Sequence, residues 1–174
     1  MIQFIGSRKH GSAMPHQIVA FEKLVGAELP ADYQQFLKEH NGGRPQPDAF
    51  EFDGGEEDAV ECFFPLRDLA SDESLELTDA DWLDWPLQRA WETFQTNLQE
   101  DCAECDLDNQ GFQLDRLLPI GTDGCGNSLC LVLDGDDLGC VVFFDHETAG
   151  VTPLADSFSE FLAMLHEPRS HSDS

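Results

Sequence analysis

The sequence predicts a single domain that joins helices to an antiparallel β-meander, and three observations carry that expectation. Apolar residues recur at three- and four-residue spacing between 15 and 40, again between 84 and 99, and once more between 157 and 167. Between 117 and 145, apolar runs of strand length rich in Val, Leu and Phe are separated by Gly-Asn and Asp-Gly chemistry suited to hairpin turns. At 174 residues with 41% hydrophobic content, the chain can bury one core and has no need to divide into two.

Taken in order, Ile18, Phe21, Leu24 and Val25 predict a first helix after Pro15, stopped by Gly26. Leu29-Pro30-Ala31-Asp32-Tyr33 opens a second, with Tyr33, Phe36 and Leu37 on one face. Asn41-Gly42-Gly43 ends it, because these residues readily take the left-handed backbone of a helix C-cap. Residues 50–52 and 62–66 read as short strands, with the turn-like Asp53-Gly54-Gly55 between them. Leu87, Trp91, Phe94 and Leu98 predict an amphipathic helix over 84–99, capped by Asp84 and carrying Pro86 in its first turn. Strands at 117–120, 128–133 and 139–145 form the meander, and a helix over 157–167 turns Phe158, Phe161, Leu162 and Leu165 inward. The domain is expected to span 1–168, followed by a polar, frayed tail over 169–174.

Charge narrows the functional classes. Nine Lys and Arg against 35 Asp and Glu give a formal net charge of −26. Such a surface repels phosphate backbones and anionic lipid heads and attracts basic partners from a distance, so direct nucleic-acid or membrane binding is disfavoured. Between Asp48 and Asp108 there are 20 acidic residues and two basic ones, Arg67 and Arg89, so 18 of the 26 net charges fall in this third of the chain. The apolar run after Met1 is too short for a signal peptide and no stretch reaches membrane-span length, which predicts a cytoplasmic protein. With ample core, the six cysteines need not form a disulfide framework, and Cys130 and Cys140, inside apolar runs, read as buried thiols.

The run Leu29-Pro30-Ala31-Asp32-Tyr33-Gln34-Gln35-Phe36-Leu37, followed by Asn41-Gly42-Gly43-Arg44-Pro45, resembles the signature of the SMI1/KNR4 (SUKH) family. A second stretch is also similar, from Pro119 through Gly121, Gly124, Gly126, Asn127 and Cys130 to Asp145-His146-Glu147. Residues 56–115 carry no matching motif. The resemblance implies a single α+β domain with a central antiparallel sheet and flanking helices. It further implies a non-enzymatic interaction module: bacterial members are associated with immunity to polymorphic toxins, fungal ones with cell-wall synthesis and signalling. The unmatched acidic middle is then where specificity is expected.

Each motif also has a folding rationale. Pro30 presets a helical turn, Asp32 can accept early helix amides, and Tyr33 and Phe36 pack the helix on the sheet. Gly124, Gly126 and Asn127 shape a turn rather than a phosphate cradle, since no Lys or Arg accompanies them. Cys102-Ala103-Glu104-Cys105 has chelating spacing but no second ligand pair, and its acidic neighbours oppose thiolate formation, so these read as loop cysteines. Asp145-His146-Glu147 is expected to be a hydrogen-bonded turn, and Asp134-Gly135-Asp136-Asp137 a hairpin turn lacking the later Glu of a calcium loop. No catalytic residue, cofactor or metal is expected.

Trp82, Trp85 and Trp91 interleave with acids. Trp91 falls in the apolar stripe and reads as core, whereas Trp82 reads as surface. The expected docking set is Asp79, Asp81, Trp82, Asp84, Glu100, Asp101 and Glu104, facing a basic toxin domain such as a nuclease, with a regulatory scaffold module as the alternative.

Overall fold

Helix α1 (Pro15–Val25) ends where Gly26 takes φ 73° and its amide reaches the Glu22 carbonyl at 2.9 Å. The computed structural model describes residues 1–68, 82–101 and 110–169, with the backbone alone for 100 and 101. Ile18, Phe21 and Val25 are buried as expected, but Leu24 is 48% exposed. Six residues beyond Ile18, at about 100° per residue, it points away from their face. In α2 (Ala31–Glu39), Tyr33, Phe36 and Leu37 are buried, and Pro30 precedes the helix at φ −53°. Asp32 does more than serve its own helix: one carboxylate oxygen accepts the Tyr33 amide, and the other accepts the Ser159 amide of the last helix, both at 2.9 Å.

Nine strands lie among the described residues. β1 (Gln3–Ile5) pairs with β2 (Arg44–Gln46), and β3 (Ala49–Glu51) with β4 (Glu57–Ala59). β5 (Cys62–Phe63), β6 (Leu117–Thr122), β7 (Ser128–Val132), β8 (Val141–Phe144) and β9 (Val151–Ala155) form one antiparallel sheet in chain order, the predicted meander extended by a strand at each edge. Pro153 sits in β9, an edge strand, where a missing N–H costs no central ladder bond. β1, β2 and β4 carry no strand pattern of their own. β2 holds Pro45 and β4 is Glu-Asp-Ala, so their ladder partners, rather than side-chain alternation, make them extended.

Alternation along the meander sends side chains to two cores. Leu118, Ile120, Leu129, Leu131, Val141 and Phe143 face α1, α2 and α4 (Phe158–Met164) in the larger one. Leu117, Cys130, Val132, Val142 and Phe144 face the smaller one. Helix α3 (Leu87–Asp101) serves both, giving Leu87, Ala90 and Trp91 to the first, and Phe94 and Leu98 to the second. The larger core holds an aromatic knot in which the Phe158 ring meets Tyr33 and Phe36 at 5.1 Å and Phe63 at 5.6 Å, mostly edge to face. This accounts for the excess of Phe over Tyr in the composition.

The Tyr33 hydroxyl has no hydrogen-bond partner among the described residues, and burial pushes its ionisation far up. Tyr33→Phe should therefore stabilise the fold by about 1 kcal/mol, because it removes a desolvated hydroxyl while keeping the ring. Urea unfolding checks this, and a lower midpoint would show that the hydroxyl is satisfied after all.

Three expectations need correction. Asp84 does not cap α3: it closes a 3₁₀ turn, Trp82–Asp84, and its carboxylate is taken by Lys9 Nζ at 2.8 Å and His10 Nε2 at 2.7 Å. The final helix stops at Met164 because Leu165 turns extended, and the following His166 bridges to Ala49 of β3. Arg169, first residue of the expected tail, donates its amide to Glu57 at 3.0 Å and pairs its guanidinium with Glu51. Residues 170–174 lie outside the described ones.

Candidate partner-binding site

A groove lies between helix α3 and the β6–β7 turn. Two adjoining clefts make it, of about 260 Å³ and 230 Å³, sharing Phe94, Asn97, Gly126 and Ser128. Trp82 and Trp85 wall one end, and Phe144, His146 and Ala149 the other. Among the described residues the lining carries no Lys, Arg, Asp or Glu.

The turn that forms the groove's far bank is built by its own side chains. Asp123 accepts the amides of Cys125 at 2.8 Å and Asn127 at 3.1 Å, while the Thr122 hydroxyl accepts the Gly124 amide and donates to the Asn127 carbonyl. Gly126 has φ 104°, and a Cβ there would stand 3.2 Å from the His146 ring, so the glycine admits that ring against the turn. Asn127 then couples the two loops, since its side-chain oxygen lies 2.8 Å from His146 Nδ1 and accepts the His146 amide at 3.1 Å. The turn reading of Gly124, Gly126 and Asn127 and that of Asp145-His146-Glu147 thus describe two halves of one structure. Asp145 accepts the amides of Glu147 and Thr148; burial works against ionisation, but these bonds hold its carboxyl below the usual carboxylate range.

Of the expected docking residues, Trp82 stands at the lip of the groove, 40% exposed, with its ring 5.9 Å from Trp85 and 6.4 Å from Phe64. Trp91 is buried, as its place in the apolar stripe implies. Asp84 is nearby but engaged: burial opposes ionisation, yet the hydrogen bonds and charges of Lys9 and His10 hold its carboxyl below the usual range. Glu100 and Asp101 fall in the last turn of α3. Asp79, Asp81 and Glu104 lie outside the described residues, as do Cys102 and Cys105. Asn97, Ser128 and His146 enter the site without having been singled out for it. Asn97 and Thr93 sit on α3 one turn apart, on the polar flank of the apolar stripe, which was the available signal.

Cations of the described surface are engaged by acids at several points. Lys9 meets Asp84, Arg44 meets Glu61 at 3.0 Å, Arg89 meets Glu92 at 3.0 Å, and Arg169 meets Glu51. What the surface offers a partner is therefore the unbalanced majority of carboxylates. Among the described residues, no three His, Cys, Asp or Glu side chains gather as a metal site, and no helix is long and apolar enough to cross a membrane. Burial pushes the Cys130 and Cys140 thiols up, away from reactivity. Asp134 accepts the Gly135 amide at 2.8 Å in the hairpin turn between β7 and β8.

The sequence has counterparts among known proteins. The SPbeta prophage-derived uncharacterized protein YokK of Bacillus subtilis (strain 168) is 24% identical over 172 residues, covering 87% of this chain and 74% of that protein. Residues 13–164 match the family described as SMI1 / KNR4 (SUKH-1), a span from just before α1 to the end of α4 that includes every strand of the main sheet. With the two signature stretches now seen as the α2 stop and the β6–β7 turn, the chain belongs to the SMI1/KNR4 (SUKH-1) family.

Proposed function

We propose that this protein is a non-enzymatic immunity protein that binds a basic toxin domain, such as a nuclease, and neutralises it by occlusion. The observation that carries the reading is Trp82, a large aromatic left 40% exposed beside an apolar groove and immediately preceded in sequence by Asp79 and Asp81. Aromatic anchors supply contact area, while carboxylates around them steer a cationic partner and set its orientation. A nuclease must present a positive rim to hold nucleic acid, so an acidic protein can occupy the same field. The docking set proposed is Trp82 with Asp79, Asp81, Glu100, Asp101 and Glu104. Asp84 is left out because Lys9 already pairs with it and the His10 ring is hydrogen-bonded to it.

The test starts with a tagged pull-down from lysate of the source organism, eluted stepwise with salt, followed by stopped-flow association with the recovered partner. Association should slow at least tenfold between low and physiological salt. Asp79→Lys with Asp81→Lys should slow it about tenfold more while changing dissociation little. Co-expression should protect cells from the partner's toxicity. A salt-independent rate, unaffected by the charge reversals, would remove the acidic face from the mechanism; a partner without toxicity would move the protein to the regulatory-scaffold class.

A further inference from the structure

We infer that the groove between α3 and the β6–β7 turn receives one apolar side chain of a basic partner segment, and that His146 Nε2 accepts a hydrogen bond from a cation beside that anchor. This rests on the basic-partner reading and adds to it the chemistry of the contact.

The polarity of His146 follows from a chain of fixed hydrogen bonds. A carboxylate only accepts, so Asp123, 2.7 Å from Asn127 Nδ2, orients the Asn127 amide with its nitrogen toward itself. The Asn127 oxygen must then face His146, where it already accepts the backbone amide, and His146 Nδ1, 2.8 Å away, must carry the proton it donates. In the neutral ring this leaves Nε2 as an acceptor. Within the groove, Phe94, Phe144, Leu98 and Ala149 supply the apolar surface, so the site pairs one apolar recess with one oriented acceptor.

Charge complementarity selects the occupant. Among the described residues no cation lines the groove, and next in sequence to its lining residues Thr122 and His146 stand Asp123, Asp145 and Glu147. An acidic or phosphorylated segment would meet these carboxylates with nothing to offset them. A segment with Leu or Phe between Lys or Arg residues places its apolar group in the recess and its cations on Nε2 and the rim.

The probe is a ten-residue peptide with one central Leu flanked by lysines, followed through the fluorescence of Trp82 and Trp85. Controls replace the Leu by Ser, or the lysines by Glu. The Lys-Leu peptide should bind at least tenfold more tightly than either control. Asn97→Trp fills the groove from an exposed helix position and should remove the Leu-dependent gain; His146→Phe should weaken binding several-fold without abolishing it. Equal binding of the Leu and Ser peptides, or no effect of Asn97→Trp, would overturn the anchor while leaving salt-dependent attraction of lysines, and with it the basic-partner reading, intact. Equal binding of the Glu-flanked peptide would overturn the charge selection. Absence of binding by any peptide would overturn the inference as a whole.

Discussion

Asn41→Ala is expected to lower the unfolding free energy by about 4 kcal/mol. Asn41 is one of two buried polar residues among those described, and its side chain is fully used. Its oxygen accepts the Leu66 amide at 2.8 Å, and its nitrogen donates to the Leu66 carbonyl at 2.9 Å and the Gly11 carbonyl at 2.7 Å. Leu66 is itself buried, so truncation strands its amide and its carbonyl away from water, at roughly 1–3 kcal/mol for each orphaned group. Asn41 also holds φ 49°, where alanine adds about 1 kcal/mol of strain. Urea unfolding measures the loss. Asn41→Asp separates the causes, since it keeps the acceptor for Leu66 but turns an oxygen toward two carbonyls. A carboxyl so placed has its folded pKa raised above the ordinary value near 3.9. It is therefore most damaging at neutral pH and partly recovers as pH falls through the raised folded value, when the protonated form can donate. A flat pH response would argue that backbone strain, not hydrogen bonding, dominates at this position.

Much of this fold was legible because local pattern and tertiary demand agree. The α1 stripe, the α2 stripe and the meander all show periods that match the faces they bury, and Gly26 caps where its φ requires. What the pattern could not show is structure conferred by partners. β4 is extended because β3 offers it a ladder, and β1 because β2 returns from the α2 stop to meet it. Asp84 illustrates the same limit. An acid just ahead of an apolar stripe looks like an N-cap, yet Lys9 and His10, more than 70 residues away in sequence, outbid the helix amides for its carboxylate.

The candidate site was legible in composition and not in geometry. Trp82 was distinguishable from Trp91 because one falls outside the apolar stripe and the other inside it, and their exposures follow. The groove beside Trp82 depends on where α3 settles against β6 and β7, which no sequence period encodes. His146 enters that groove only because Gly126, 20 residues earlier, leaves room for its ring. Gly124 and Gly126 form the turn that their sequence suggests; Gly121, in the same signature stretch, has a different role.

Gly121→Ala is expected to cost about 3 kcal/mol, through contact alone, because Gly121 is not among the residues with positive φ. It lies in β6 directly opposite Phe63 of β5, where a bulge follows Pro119, and a Cβ there would stand 2.6 Å from the Cys62 carbonyl oxygen. That is backbone against side-chain stem, so no rotamer relieves it, and β5 must move off β6. The bonds at risk are the Glu61 amide to the Thr122 carbonyl at 2.8 Å and the Phe64 amide to the Ile120 carbonyl at 2.9 Å. The Gly43–Phe63 bridge, which ties the β1–β2 pair to this edge, depends on the same strand. Hydrogen exchange should therefore accelerate at Glu61, Phe63 and Phe64 while the amides of β7 and β8 keep their protection. Gly124→Ala is the control: at φ 81° it strains the turn by about 1 kcal/mol, and its Cβ would stand 3.3 Å from the Glu61 Cβ, a milder approach than the 2.6 Å at Gly121. If both variants cost the same and neither loosens β5, Gly121 is a turn residue like its neighbours. If Gly121→Ala alone frees the edge, the glycine is there so that two strands can approach, and the family signature marks a seam in the sheet as well as a turn.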